Sequence, residues 1–261
     1  INLSAIALTD HDTSAGIKEF LQAAQGEDLL AIPGIELACR NKREESFHIL
    51  GLFIDAENTT LEALTEQILQ WRNERNLKII SILNENGIEL SLSEVLECCE
   101  GEVLGRPHIA KALMQKNHCR DIKDAFTSIL GRGRPAYVAR QVPSPAECIA
   151  AIHSAGGVAF WAHPFTRKNI NASECRRLAE YLKTEGIDGI EAYYSLHKKA
   201  QTEKILEIAD DLNLLISGGS DFHGSHFPKL QLGSGFGRLR VPDRLIVPIQ
   251  EKAEKYAKSN H

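Results

Sequence analysis

Short apolar runs alternate with longer amphipathic segments along most of the chain. Six runs are continuously apolar and end at turn-forming residues, which is the pattern of strands buried on both faces. They are residues 5–8, 29–32, 47–54, 158–162, 187–192 and 214–217. The segments 144–156 and 173–186 have the apolar spacing of helices, and the first begins with a capping box at Ser144 and Glu147. This alternation predicts an α/β protein with a parallel sheet or barrel.

The middle of the chain lacks this alternation. Only helical patterns follow one another there, at residues 61–86, 92–99, 107–116 and 122–130. We interpret residues 61–134 as a helical insertion domain, and residues 1–60 and 135–261 as the barrel domain that it interrupts. A last helix is expected from about Asp243, with its start disturbed by Pro248.

Composition describes a folded protein without a general affinity for nucleic acid. Of 261 residues, 43% are hydrophobic and 25% are charged, which suffices for a substantial core. The net charge of -5 argues against an overall basic surface, so phosphate recognition has to be local. Neither a membrane-spanning run nor a secretory signal is found, and we expect a cytoplasmic protein. The six cysteines lack C-x-x-C spacing and are expected to be free thiols.

Histidines and carboxylates recur in seven short clusters, each placed beside an apolar run. The clusters are Thr9–Asp12, Pro33–Glu36, Phe47-His48, Arg106–His108, Ala162–Pro164, Glu191 and Ser220–His223. The C-terminal ends of parallel strands meet at one rim, so distant clusters can form one site. Imidazole and carboxylate suit manganese, zinc or iron, and a carboxylate such as Glu36 can bridge two cations. We predict a multinuclear metal site whose histidines directly follow strands, at His11, His48, His163 and His223.

Phosphate recognition is predicted in the insertion. Gly131-Arg132-Gly133-Arg134 places guanidinium forks, which suit phosphate, beside glycines that let the backbone approach an anion. Arg106 and His108 are further candidates in the same segment, and Arg167 and Lys168 are weaker ones. The alternative for the glycine-arginine segment is an ordinary basic loop.

Two pairs of residues near the clusters can each be interpreted in two ways. Asp10 and Asp12 flank a candidate ligand, but they could also cap a helix that follows them. The pair Tyr193-Tyr194 could stack on a base or belong to the core.

The clusters resemble the motifs of the polymerase and histidinol phosphatase (PHP) family of metal-dependent phosphoesterases. Five motifs are matched in order over essentially the whole chain, at Leu8–Asp12, Pro33–Glu36, His48–Gly51, Ala162–Pro164 and Gly219–His223. The insertion resembles that of the bacterial branch that hydrolyses nucleoside 3′,5′-bisphosphates and trims short RNA from the 5′ end. The family's opening H-x-H motif has no counterpart here. Because the sequence begins at Ile1, directly before what would be the second strand, we expect a longer gene product.

The resemblance implies a distorted (β/α)7 barrel with a helical insertion domain, here without its first strand, and two to three divalent metal ions. The implied metal ligands are His11, Glu36, His48, His163, Asp221 and His223. Glu36 would bridge two of the metals. The residues implied to bind substrate are Arg106, His108, Arg132 and Arg134.

We therefore predict a phosphoesterase that acts on a nucleotide or short RNA. Clustered cations would lower the pKa of a bound water, and the hydroxide would attack phosphorus in line with the departing oxygen. One alternative is a phosphatase for a small metabolite such as histidinol phosphate. The other is a non-catalytic remnant that serves as a binding module.

Overall fold

The computed structural model describes residues 3–99, 104–167, 170–224 and 227–259, so Lys168 lies outside the described residues. Two compact units are present. Residues 1–65 and 143–261 form the first, called the α/β unit, and residues 66–142 form the second, called the helical unit. The predicted domain boundaries at 61 and 134 lie a few residues before those of the units, and the assignment of independent domains stays a prediction.

Six strands and nine α-helices are found in the described residues. The strands are β1 (Ala5–Leu8), β2 (Leu30–Arg40), β3 (Ser46–Leu52), β4 (Val158–Trp161), β5 (Gly189–Tyr194) and β6 (Leu215–Gly219). The helices are α1 (Ile17–Ala23), α2 (Thr59–Glu85), α3 (Leu92–Leu96), α4 (Arg106–Gln115), α5 (Ile122–Ala125), α6 (Pro145–Ser154), α7 (Ala172–Thr184), α8 (Lys199–Asp211) and α9 (Ile246–Ser259). No described helix is both long and apolar enough to cross a membrane.

The strands form one curled sheet, a half-barrel, in the order β1-β2-β3-β4-β5-β6. The predicted α/β class is confirmed, but the expectation of an entirely parallel sheet is wrong. Strand β3 runs antiparallel to both β2 and β4, whereas the β1-β2, β4-β5 and β5-β6 pairs are parallel. The reason is the short turn between Arg40 and Ser46, since a parallel return needs a crossover of a dozen or more residues.

Strand β2 continues well beyond the predicted end at Ile32, through the apparent breakers Pro33 and Gly34. At this point β2 passes from pairing with β1 to pairing with β3. A Cβ atom on Gly34 would lie 2.7 Å from Cγ2 of Thr9 and 2.8 Å from the carbonyl oxygen of Gly51. Glycine is therefore required by the close approach of both neighbours, and it does not end the strand.

The two faces of the sheet have different coverings. On β2 and β3 the residues Ile35, Leu37, Phe47 and Ile49 are at most 2% exposed. The ring of Phe47 contacts Tyr181 of α7 on this face. The opposite face carries a second apolar cluster, packed against Ile249 and Ala253 of α9. Its strand members are Ala5, Leu30, Ile32, Leu50, Leu52, Val158, Phe160 and Leu215.

The helical unit has its own apolar core. Helices α2 to α5 and the π-helical turn Phe126–Leu130 contribute to it, as the helical patterns predicted. Its fully buried members include Ile79, Val95, Ile109 and Leu113.

A buried carboxylate ties α6 and α9 to the end of the sheet where β4 and β5 begin. Asp188 is 4% exposed, and its Oδ2 lies 2.7 Å from Nε2 of His153 and 2.9 Å from the backbone N–H of Ala159. The hydroxyl of Tyr256 donates to Oδ1 at 2.6 Å, and Nζ of Lys252 lies 3.3 Å away. Burial alone would raise the pKa of Asp188, but the hydrogen bonds from His153, Tyr256 and Ala159 outweigh it and lower the pKa.

We expect Asp188→Ala to lower the free energy of unfolding by about 3–5 kcal/mol, because several buried groups lose their partner. Tyr256→Phe removes one hydrogen bond and should cost about 1 kcal/mol. Since the folded-state pKa is lowered, the stabilisation is complete above pH ~4, the ordinary carboxyl range, and is lost as the pH falls toward the lowered value. Urea unfolding from pH 7 to pH 3 measures this. Asp188→Asn is the comparison variant. If the difference in free energy of unfolding between the wild type and this variant does not decrease from pH 7 to pH 3, the assignment is contradicted.

Candidate metal centre

The carboxylate of Glu36 lies among histidines from three separate parts of the α/β unit. Its Oε1 is 2.7 Å from Nδ1 of His48 and 2.9 Å from Nε2 of His163, and its Oε2 is 3.4 Å from Nδ1 of His11. Glu36 itself is 5% exposed. Burial would raise its pKa, but the hydrogen bonds with His163 and His48 and the nearby His11 hold the pKa well below the ordinary glutamate range.

His11 reaches Glu36 because the chain after β1 pairs once more with β2. The backbone N–H of Glu36 donates to the carbonyl of Asp10, and the N–H of Asp12 donates to the carbonyl of Glu36. His11 thus stands directly beside Glu36 as a parallel bridge partner. The carboxylate of Asp12, 8% exposed, accepts the N–H of Ala38 and braces this segment on β2.

The helix-cap interpretation of Asp10 and Asp12 is wrong. Helix α1 begins only at Ile17, and its N-cap is Gly16, which makes no side-chain hydrogen bond. The chain between Asp12 and Ile17 therefore separates the metal-site segment from the helix.

His48 was expected to follow a strand, but it lies near the start of β3. The antiparallel direction of β3 explains why it nevertheless reaches the others. Residue Ala38 pairs with His48 and Glu36 pairs with Leu50, so Glu36 and His48 are diagonal neighbours on one face of the sheet. The beginning of an antiparallel strand lies at the same edge as the ends of its parallel companions.

His163 follows β4 in a backbone conformation that few non-glycine residues adopt, with φ 32° and ψ 58°. Its N–H donates to Oε2 of Glu191 on β5 at 2.8 Å. Glu191 is 6% exposed, and burial, more than the nearby charges of Glu36 and Asp221, raises its pKa to about 8. Across from it on β6, the buried hydroxyl of Ser217 has no hydrogen-bond partner among the described residues.

Asp221 and His223 continue the site after β6. The hydroxyl of Tyr194 donates to Oδ2 of Asp221 at 2.9 Å, and Nδ1 of His223 lies 2.7 Å from the carbonyl oxygen of Asp221. The ring centroids of His223 and His11 are 6.3 Å apart. Tyr194 is 8% exposed and engaged by Asp221, so the base-stacking interpretation does not apply to it.

Some residues of the site have backbone conformations that non-glycine residues seldom adopt. Among the described residues, three non-glycine positions with positive φ belong to the site or its brace: Asp12, His163 and Asp221, with φ of 57°, 32° and 54°. Such conformations persist only where the surrounding contacts impose them, and they are enriched at functional sites.

The donor set fits a divalent cation. The candidate ligand atoms of His11, Glu36 and His48 all lie within 4.8 Å of one another. Imidazole nitrogens with a shared carboxylate are the ligands of zinc, manganese and iron sites. His163 lies within hydrogen-bond distance of the same carboxylate, His223 lies beside His11, and Asp221 is held by Tyr194. The six implied ligands therefore lie in one region of the α/β unit, and their coordination role stays a prediction.

The residues predicted to bind substrate all belong to the helical unit. Arg106 donates to the carbonyl of Leu130, and its guanidinium lies 5.3 Å from the ring centroid of Phe126. Nδ1 of His108 accepts the N–H of Gly105 and caps α4. Arg132 and Arg134 are exposed, and the described residues offer neither of them an ion pair. In the α/β unit, Arg167 packs its guanidinium over the ring of Phe47.

Two positioning roles were missed from the sequence. Glu191 was recognised as part of a cluster but not as the partner of the His163 backbone, and the hydrogen bond of Tyr194 to Asp221 was not foreseen. The available signal was a carboxylate within an otherwise apolar strand, which requires a buried partner.

Relatives of this chain are named for the hydrolysis of nucleotides. It is 32% identical over 252 residues, 96% of this chain and 88% of the relative, to a 5'-3' exoribonuclease from Haemophilus influenzae. It is 32% identical over 219 residues, 84% of this chain and 76% of the relative, to a 3',5'-nucleoside bisphosphate phosphatase from Chromobacterium violaceum.

A solved structure agrees with these relatives. A candidate metal-dependent phosphoesterase from Bifidobacterium adolescentis superposes with a TM-score of 0.75 at 29% identity, covering 96% of this chain and 86% of that one. No family model matches the chain.

Glu191 should control metal binding through the backbone of His163. We expect Glu191→Leu to weaken metal affinity by about 10- to 100-fold, as is usual for residues that orient ligands. Glu191→Gln keeps an oxygen that can accept the same N–H and should retain most of the affinity. Metal titration followed by elemental analysis measures both, with circular dichroism as the control for folding. Equal losses in the two variants contradict the positioning role.

Proposed function

The chain belongs to the PHP family of metal-dependent phosphoesterases, and we propose that it hydrolyses nucleoside 3′,5′-bisphosphates or removes nucleotides from the 5′ end of short RNA. As a member, it is a hydrolytic enzyme, and the alternative of a non-catalytic binding module is set aside. The choice of substrate is supported by the names of the two relatives, each 32% identical to this chain. The observation that carries the proposal is the buried Glu36 among His11, His48 and His163.

We propose that two to three divalent ions, Mn, Zn or Fe, bind at this centre. The residues that would hold them are His11, Glu36, His48, His163, Asp221 and His223. When bound, such ions polarise the phosphoryl group, offset its developing negative charge and lower the pKa of a water molecule toward neutrality.

The protein's own contribution is to fix the ligands before substrate arrives. Glu36 is held on β2, which is paired on both sides, and backbone contacts place His11 and His163 beside it. Preorganised groups of this kind need no rearrangement when charge develops in the transition state. The Tyr194 hydroxyl orients the Asp221 carboxylate in the same way.

The substrate assay should use the full-length, metal-loaded enzyme with its metal content confirmed. We expect turnover of adenosine 3′,5′-bisphosphate and of 5′-phosphorylated oligoribonucleotides in preference to histidinol phosphate, when the esters compete in one reaction. Glu36→Gln removes the shared charge and should lower kcat/KM by about two to three orders of magnitude or more. Glu19→Gln, on an exposed part of α1, is the matched control. Preference for histidinol phosphate, or no turnover of either nucleotide substrate, overturns the proposal.

We also propose that Arg132 and Arg134, which are exposed in the helical unit, bind substrate phosphate. Arg134→Ala should raise KM for adenosine 3′,5′-bisphosphate by about 10- to 100-fold, the value of a charge-assisted hydrogen bond, and leave p-nitrophenyl phosphate unaffected. Arg134→Lys keeps the charge but loses the planar fork, and should recover only part of the loss. Lys123→Ala, also exposed in the helical unit, is the control. Unchanged KM, or equal losses on both substrates, excludes Arg134 from recognition.

A further inference from the structure

Three of the nine phenylalanines are about half exposed, and all three follow β6 within a short stretch of chain. The exposed fractions of Phe222, Phe227 and Phe236 are 47%, 58% and 52%. Aromatic rings are among the side chains that gain most from burial, so a half-exposed ring beside a candidate site indicates a surface that binds something.

Phe227 is the ring connected to the candidate metal centre. Its centroid lies 5.6 Å from that of His223, with the two ring planes at 79°. His223 is in turn 6.3 Å from His11, which stands 5.2 Å from His48. Phe227 therefore stands one ring beyond the candidate ligands, and more than half of its surface is open to solvent.

The chemistry of this ring favours a flat aromatic partner. A phenyl side chain offers no hydrogen bond and no charge, so it recognises a ligand through its apolar face. In a molecule whose phosphate is held at the metal centre, the group that reaches a neighbouring position is the one attached to that phosphate. For a nucleotide, this group is a sugar that carries a planar base.

We propose that Phe227 is the stacking platform for the nucleobase next to the phosphate that is hydrolysed. The inference rests on the proposed function, since it presupposes a nucleotide substrate, and it adds the subsite that distinguishes a nucleotide from other phosphate esters. Stacking on a bare phenyl ring accepts any base, because every base has a π-face. The subsite therefore predicts cleavage with little dependence on base identity, both for mononucleotides and at the end of an RNA chain.

A comparison of substrates with and without a base tests the subsite. We would measure kcat/KM for adenosine 3′,5′-bisphosphate and for the abasic analogue in which hydrogen replaces the base. Phe227→Ala and Phe227→Leu should lower the value for the nucleotide by about 5- to 100-fold, the range for one base stacked on an aromatic ring, and leave the abasic value unchanged. Phe227→Trp keeps an aromatic face and should retain or improve nucleotide hydrolysis. Phe236→Ala, at a similarly exposed ring, is the control.

A binding measurement gives a readout that does not depend on turnover. The fluorescence of 2-aminopurine riboside 5′-monophosphate, a product analogue, should be quenched by the metal-loaded wild type and by Phe227→Trp but not by Phe227→Leu. Three outcomes would overturn the subsite and leave the proposed function standing. The variants could lose equal activity on the nucleotide and the abasic substrate, or Phe227→Leu could hydrolyse the nucleotide as well as the wild type does. The third outcome is a wild type that uses both substrates equally well. A wild type that hydrolyses p-nitrophenyl phosphate but neither nucleotide nor RNA overturns the proposed function, and the subsite with it.

Discussion

The buried carboxylate of Glu36 is the constraint that organises the α/β unit. A charge that is 5% exposed is costly unless it is paired, and on a central strand no local partner is available to it. Its partners come from other parts of the chain. His11 lies in the segment after β1 that pairs with β2 again, and His48 lies on the antiparallel strand β3. His163 lies in the turn after β4, in a strained backbone conformation. Each of these features places one nitrogen beside the same carboxylate. If one histidine is removed, the buried charge of Glu36 keeps only the two remaining partners.

Every second side chain along a strand points to the same face of the sheet. One face therefore carries both core residues and residues of the candidate site. On β2 the side chains of Leu30, Ile32 and Glu36 share one face, and on β6 those of Leu215 and Ser217 do. Apolar members at one end pack under α9, and polar members at the other end form the candidate centre. Stability and ligand placement therefore depend on a single register, since a slip by one residue would move the whole set to the other face.

The sequence predicts which residue types form the candidate site and that they lie beside strands. It does not predict the strand directions and hydrogen bonds that bring these residues together. Five of the apolar runs match strands to within about two residues at each end, because burial on both faces leaves a local signal. The apolar run of β2 stops before Pro33, so the sequence pattern does not show the hairpin that sets the direction of β3. Helix α8 was missed although Ile205, Ile208 and Ala209 have helical spacing. Hydrogen bonds such as Glu191 to His163 join residues 28 positions apart, and no local pattern encodes them.

Electrostatics explains why cations are needed for more than the bond-breaking step. The protein carries a net charge of -5, and the candidate centre brings the acidic side chains of Glu36, Glu191 and Asp221 into one region. Burial is the main cause that raises the pKa of Glu191 to about 8, and the charges of Glu36 and Asp221 contribute to this value against the opposing effect of His163. A phosphate dianion entering such a region would meet the same repulsion that a second carboxylate does. Divalent ions held by these residues would reverse the sign of the local field, so that an anionic substrate could bind at the same centre.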